Sequence, residues 1–160
     1  MSKARRVLVS VRQAQVEDAR VCSEVLCASI RELCTDDHHG DEQVIAGWLD
    51  NKTPETLRSW ISGFEATIYV AEIDNRVVGV GGLSGAEIAL NYVAPGYQGQ
   101  GVSTSILRAL ERTLVEQGVK YAQLNSTATA HNFYLKAGWL DSGEPEESLG
   151  VLGFPMSKEL

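Results

Sequence analysis

The sequence predicts an α/β (α+β) fold, a single domain over residues 1–160 with a mixed, mostly antiparallel sheet flanked by helices. Three observations lead there. The chain has 160 residues and 44% hydrophobic content, which suits one ordinary core and rules out most two-domain enzymes. Segments 66–73, 76–83 and 86–93 are strand-like and separated only by turn residues, Asp74-Asn75 and Ser84-Gly85, so they should pair as an antiparallel meander. A helix, strand, helix, strand order follows them, with no repeat or linker.

Each element has its own signal. Residues 7–12 alternate apolar and polar, as a half-buried strand does. Glu17-Asp18 opens a helix whose apolar face carries Cys22, Val25, Leu26, Ile30 and Leu33. Residues 35–40 (Thr-Asp-Asp-His-His-Gly) break that periodicity and read as an exposed loop. A short helix is expected over 41–50. Thr53-Pro54-Glu55 starts another: a capping hydroxyl, a proline in the first turn and an acid near the positive end of the dipole. After the meander, Val102, Ile106, Leu110 and Leu114 recur every four residues on a helix that stops at Gly118. Residues 120–125 form a short strand, 128–137 a helix ending at Gly138, and 149–156 the last strand.

Charge and composition exclude several classes. Fourteen basic against 21 acidic residues give a net charge of -7, the wrong sign for a general nucleic-acid binder. Lys3, Arg5 and Arg6 precede an apolar stretch too short for a signal peptide, and no run approaches a membrane span. Cys22, Cys27 and Cys34 show no metal spacing and read as reduced thiols of a cytoplasmic protein. No metal is expected.

The chemistry concentrates after the third meander strand. Pro95 turns the chain, and Gly96-Tyr97-Gln98-Gly99-Gln100-Gly101 feeds directly into the helix that begins at Val102-Ser103. Gly99 and Gly101 permit backbone conformations closed to other residues. The first helical turn presents unpaired N–H groups at the positive end of its dipole, a cradle for a pyrophosphate that needs no lysine. A tight strand-to-helix connection without a ligand is the alternative. A P-loop is excluded because its lysine is missing. Gly99-x-Gly101-x-x-Thr104 is an incomplete dinucleotide fingerprint on the wrong kind of strand. A nicotinamide enzyme is the reading it would support, if NAD bound and CoA did not.

Val93-x-Pro95-x-x-Gln98-Gly99-x-Gly101-Val102-Ser103 resembles the acyl-CoA loop of the GNAT family, the Gcn5-related N-acetyltransferases. Ala130-His131-Asn132-Phe133-Tyr134-Leu135-Lys136-Ala137-Gly138-Trp139 resembles the family's A-x-x-F-Y-x-K-x-G-[FW] segment. The opening Val11-Arg12 and Glu17-Asp18-Ala19 resembles its first strand and helix, so the likeness spans nearly the whole chain. The resemblance implies a GNAT-like fold and acetyl-CoA as cosubstrate. It implies pyrophosphate contacts from the backbone of Gln98, Gly99, Gln100, Gly101, Val102 and Ser103. Tyr92 and Val93 would hold the pantetheine, in a V-shaped gap between the third meander strand and strand 120–125. Tyr134 would stand at the thioester sulfur and protonate, or hydrogen-bond to, the departing thiolate. Its alternative is a helix aromatic packed on the sheet. Gln100 replaces a position that is often basic in the family. Thr127 replaces an asparagine that often contacts pantetheine.

The resemblance also implies an acceptor that is a primary amine, on a small molecule or a protein, attacking directly in a ternary complex. A homodimer is expected from family habit. The three cysteines lie far from both motif blocks in sequence, and none is needed as a nucleophile. For the general base, Glu87 on the third meander strand is the candidate, against a plain solvent-facing role. His38 and His39, with Asp36, Asp37 and Asp41, offer a second set, against an exposed polar loop. Trp48 and Trp60 pack in the core or wall the acceptor pocket. A non-catalytic acyl-CoA sensor is the rival from another class: it would bind the cofactor and turn over no amine.

Overall fold

The computed structural model describes residues 7–160; Lys3, Arg5 and Arg6 lie outside them. Strand β1 (Ser10–Gln13) leads through a short 3-10 turn into helix α1 (Ala19–Leu33). Helices α2 (Thr35–His38), α3 (Glu42–Leu49) and α4 (Pro54–Ser62) follow. The meander is β2 (Ala66–Ile73), β3 (Arg76–Ser84) and β4 (Glu87–Val93). Then come α5 (Val102–Glu116), β5 (Tyr121–Ser126) and α6 (Ala128–Lys136). Strands β6 (Leu140–Asp141), β7 (Glu146–Ser148) and β8 (Val151–Glu159) close the chain.

The sheet runs β1-β2-β3-β4-β5-β8-β6, with β7 paired to β8. Every pairing among the described residues is antiparallel except β4 with β5. The hairpin of β2 and β3 turns on Asp74 and Asn75, both at positive φ, which suits the twist of the strands. The Arg12 guanidinium joins β1 to its neighbours, donating to Asp18 at 2.7 Å and to Glu72 at 2.6 Å. That ion pair ties the strand and helix parts of the first motif to each other.

Helices α1 and α4 cover one face of the meander over Ile68, Val70, Val80 and Leu90. Helix α5 covers the other with Val102, Ile106, Leu110 and Leu114, the spacing read from sequence. It lies close because Gly79 and Gly81 leave the sheet bare beneath it: a Cβ at Gly79 would stand 2.6 Å from Val102, and one at Gly81 would meet Ile106. Replacing Gly81 with alanine should therefore lower stability by about 1–3 kcal/mol, read as a drop in the urea midpoint. Trp139 is fully buried and its indole donates to Glu111, itself ion-paired with Lys158 at 2.8 Å.

Two expectations need correction. Residues 35–40 are not an exposed loop: 35–38 form α2, with Asp37 and His38 buried. The last strand is shifted from 149–156 to Val151–Glu159, and it is not alone in the tail. Two short strands, β6 and β7, precede it, and β7 and β8 meet at a two-residue turn, Leu149-Gly150, whose φ values are both positive.

All three cysteines are free. Burial pushes the Cys22 and Cys34 thiols up to about 12 from an ordinary 9.0. Both hold their protons more tightly folded than unfolded. Their stabilising effect is complete below about pH 9 and is lost as pH rises toward about 12. The urea midpoint should stay level from neutral pH to about pH 9 and then fall, less steeply in Cys34→Ala. A midpoint unchanged at pH 10.5 would contradict this.

Candidate active site

Strands β4 and β5 pair only at Glu87 with Gln123 and at Ile88 with Leu124. Past that point they part. Strand β4 carries an extra residue, Ala89, against β3, where Gly82 faces Leu90 and Leu83 faces Ile88. Such a bulge re-aims the strand end. The segment 90–93 thus borders a gap at the carboxyl end of the parallel pair, the usual place for a ligand in such sheets.

The glycine loop flanks this gap. Gly96, Gly99 and Gly101 all have positive φ, and Gly101 at 84° is the N-cap of α5. Helices α3, α4 and α6 are capped by the side chains of Asp41, Thr53 and Thr127. Helix α5 has no side-chain cap, so its first amides are left for an external acceptor. The Gln98 side chain accepts from the Gly96 amide at 2.6 Å, and that of Gln100 donates to the Gly96 carbonyl. Both glutamines brace the loop rather than reach outward.

A cavity of about 480 Å³ opens here, between the loop, the end of β4 and helix α6. It is lined by Tyr92, Val93, Gln98, Gly99, Gly101, Val102, Ser103, Thr127 and Tyr134. The gap brings these sequence-singled residues together; Gln100 sits outside the lining. Tyr134 is 6% exposed, and burial pushes its phenol up to about 12, with the neighbouring Asn91 amide opposing the shift. Thr127 spends its hydroxyl on the Ala130 amide at 3.0 Å. Glu87 is exposed at the closed end of the β4–β5 pair, six residues and about 20 Å along the strand from Val93. It is not among the residues lining either cavity at the gap.

The histidine set also resolves. The Nδ1 of His38 accepts from the Gly40 amide at 3.0 Å, so its Nε2 holds the proton and donates to the Ile30 carbonyl at 2.9 Å. With both nitrogens engaged, His38 ends α1 and is no base. Asp41 caps α3 through the amides of Gln43 and Val44. Asp37 accepts from the amides of Ala128 and Thr129 and from the Thr129 hydroxyl, fastening α2 to the start of α6.

Two residues at the site escaped the sequence reading. Asn91 lines the cavity, its amide donating to the Ser103 carbonyl at 3.3 Å. Its Oδ1 is the one buried side-chain oxygen or nitrogen without a partner among the described residues. A buried acceptor left open toward a cavity calls for a ligand donor. A polar amide within an apolar strand beside the glycine loop was the available signal. Cys34, remote from both motif blocks in sequence, also borders the cavity; with its thiol pushed up to about 12 it is a wall, not a nucleophile.

A second cavity of about 250 Å³ lies on the side of Tyr92 toward α3 and the β7–β8 hairpin. It shares Tyr92 and Thr127 with the first. Trp48 and Glu146 line it, while Trp60 packs with the α1–α4 core. Burial raises the Tyr92 phenol, with the Trp48 indole acting in the opposite direction.

A family model described as acetyltransferase (GNAT) domain matches residues 35–160. Among solved structures, the chain is similar to a GCN5-related N-acetyltransferase from Rhodopseudomonas palustris, at 24% identity and a TM-score of 0.87, covering 99% of this chain and 100% of that one. It is also similar to PaiA N-acetyltransferase from Thermoplasma acidophilum in complex with coenzyme A, at 21% identity and a TM-score of 0.75, covering 96% and 99%. YjaB from Escherichia coli in its apo form aligns at 21% identity with a TM-score of 0.65, covering 94% and 95%. No curated protein sequence matches the chain. No helix among the described residues is long and apolar enough to cross a membrane.

Proposed function

The chain belongs to the GNAT acetyltransferase family, and from that premise we propose that it is an acyl-CoA-dependent N-acetyltransferase. It carries an acetyl group from acetyl-CoA to a primary amine by direct attack in a ternary complex. The observation that carries this reading is the pair of cavities meeting at one strand gap: the glycine loop and Tyr134 border the first, and Tyr92 and Thr127 belong to both. A thioester held in the first faces an amine held in the second.

The residues present fit the cosubstrate. The uncapped amides of α5 and the positive-φ loop receive the pyrophosphate. The edge of β4 at Tyr92 and Val93, beyond the end of its ladder with β5, pairs with the pantetheine as a strand would. Asn91 Oδ1 supplies an acceptor for a pantetheine amide. Tyr134 acts on the sulfur by hydrogen bonding. A phenol at about 12 is a much weaker acid than a thiol near 8.5, so complete transfer of its proton to the thiolate would run about 5 kcal/mol uphill. The hydroxyl therefore stabilises the developing charge and keeps its proton. The three free thiols suit a reducing, cytoplasmic setting.

Calorimetry with CoA and acetyl-CoA tests the reading. Gly101→Asn and Gly101→Asp both tolerate positive φ better than other residues and differ only in charge. Gly101→Asp should weaken acetyl-CoA binding about tenfold more than Gly101→Asn, because a carboxylate then opposes the pyrophosphate. Absence of binding by the unmodified protein would remove the enzymatic reading. Tight binding with no turnover on any amine would favour the sensor.

A further inference from the structure

We infer that the acceptor is a primary amine bearing no carboxylate beside its amino group, selected by Glu146 and Trp48. This rests on the acetyltransferase reading and deepens it, since it names the chemical class that the second cavity takes.

The argument begins with charge. Among the described residues lining the second cavity, Glu146 is the only charged one; the lining contains no lysine, arginine or histidine. An amine arrives from neutral water as an ammonium ion. Glu146 attracts it, and the rings of Trp48 and Tyr92 favour a cation on a hydrocarbon stem. An α-amino acid brings the same ammonium together with a carboxylate. That carboxylate would find no cation and would lie in the field of Glu146. Lost pairing and like-charge repulsion act in the same direction, so the cavity discriminates by rejection as well as by attraction.

Glu146 also reaches the cavity by construction. It sits on β7, whose pairing with β8 sets Glu146 against Gly153. The turn of that hairpin leans on α3: a Cβ at Gly150 would stand 2.8 Å from a methyl of Val44. Trp48 is four residues further along α3, one turn from Val44. The contact between hairpin and helix thus brings Glu146 and Trp48 to the lining of one small space. At about 250 Å³ it accommodates a short alkyl or arylalkyl stem.

Matched pairs that differ only by the carboxylate provide the test: butylamine with norvaline, phenethylamine with phenylalanine, agmatine with arginine. Thiol release from acetyl-CoA is followed for each. The expected result is turnover of at least one amine with kcat/KM at least about tenfold above its amino-acid partner. In Glu146→Gln, KM for that amine should rise about tenfold while kcat falls less than threefold and KM for acetyl-CoA stays put. In Glu146→Lys the preference within the pair should narrow or invert. Glu146 is exposed, so both variants should fold, which a thermal melt verifies. Equal or better use of the amino acids, or an amine KM indifferent to both variants, would overturn the inference. So would acetyl-CoA binding with no turnover of any pair, which leaves the cofactor reading standing. Failure to bind acetyl-CoA at all would instead strike the acetyltransferase reading itself.

Discussion

Tyr134→Phe should lower kcat about 100-fold while moving the acetyl-CoA KM by less than about threefold. Tyr134 lines the first cavity and is only 6% exposed, so its interactions happen away from bulk water. Removing one such donor from a site of developing charge typically costs two to three orders of magnitude. A factor of 100 corresponds to about 2.7 kcal/mol of transition-state stabilisation. Ground-state binding should hardly change, because the pyrophosphate and pantetheine contacts come from backbone elsewhere. The pH profile separates this role from a titrating acid. With the phenol pushed up to about 12, the hydroxyl remains protonated through pH 10, so Tyr134 imposes no alkaline limb below that point. Phenylalanine preserves the packing against Phe133 and Trp139, both edge-on to the Tyr134 ring. A kcat within twofold of the unmodified protein would reduce Tyr134 to that packing.

What could be read in the sequence divides by the range of the interactions involved. The α5 stripe and the glycine loop are local: the spacing of Val102, Ile106, Leu110 and Leu114 and the positive φ of Gly99 and Gly101 need no distant partner to be inferred. Gly79 and Gly81 escaped because their reason lies on another element, the side chains of Val102 and Ile106. Strands β6 and β7 escaped because strands of two and three residues carry no periodicity, and Leu149 at positive φ is not a turn signal its residue type would give. Glu87 was legible as a strand residue, and the position of the glycine loop already marked the opposite end of that strand as the working end. Trp48 and Glu146 meet in one cavity although 98 positions separate them, and no motif joins α3 to the hairpin.

The misread segment supplies the second large effect: Asp37→Ala should destabilise the protein by about 3 kcal/mol or more. Thr35-Asp36-Asp37-His38-His39-Gly40 looks like loop because its polar residues have no local use for burial. Asp37 is nevertheless 5% exposed, for its partners stand about 90 residues away. The Ala128 amide donates to it at 2.6 Å, the Thr129 amide at 3.3 Å and the Thr129 hydroxyl at 2.5 Å. Hydrogen bonds to a charged acceptor contribute about 1.5–3 kcal/mol each, and the carboxylate also faces the positive end of the α6 dipole. Alanine would leave these three part-buried donors without their acceptor. Asp37→Asn retains an acceptor oxygen but loses the charge, so its loss should be smaller, about 1–2 kcal/mol. Tyr134 is six residues along the same helix from Ala128, about 9 Å. Loosening the start of α6 therefore tilts the phenol, and kcat at saturating acetyl-CoA should fall more in Asp37→Ala than in Asp37→Asn, at a temperature where both remain folded. Melting curves and kcat together check this. An Asp37→Ala protein that melts with the unmodified one would mean that the α2–α6 fastening carries no weight. A destabilised Asp37→Ala protein with full kcat would confine Asp37 to stability and detach it from the placement of Tyr134.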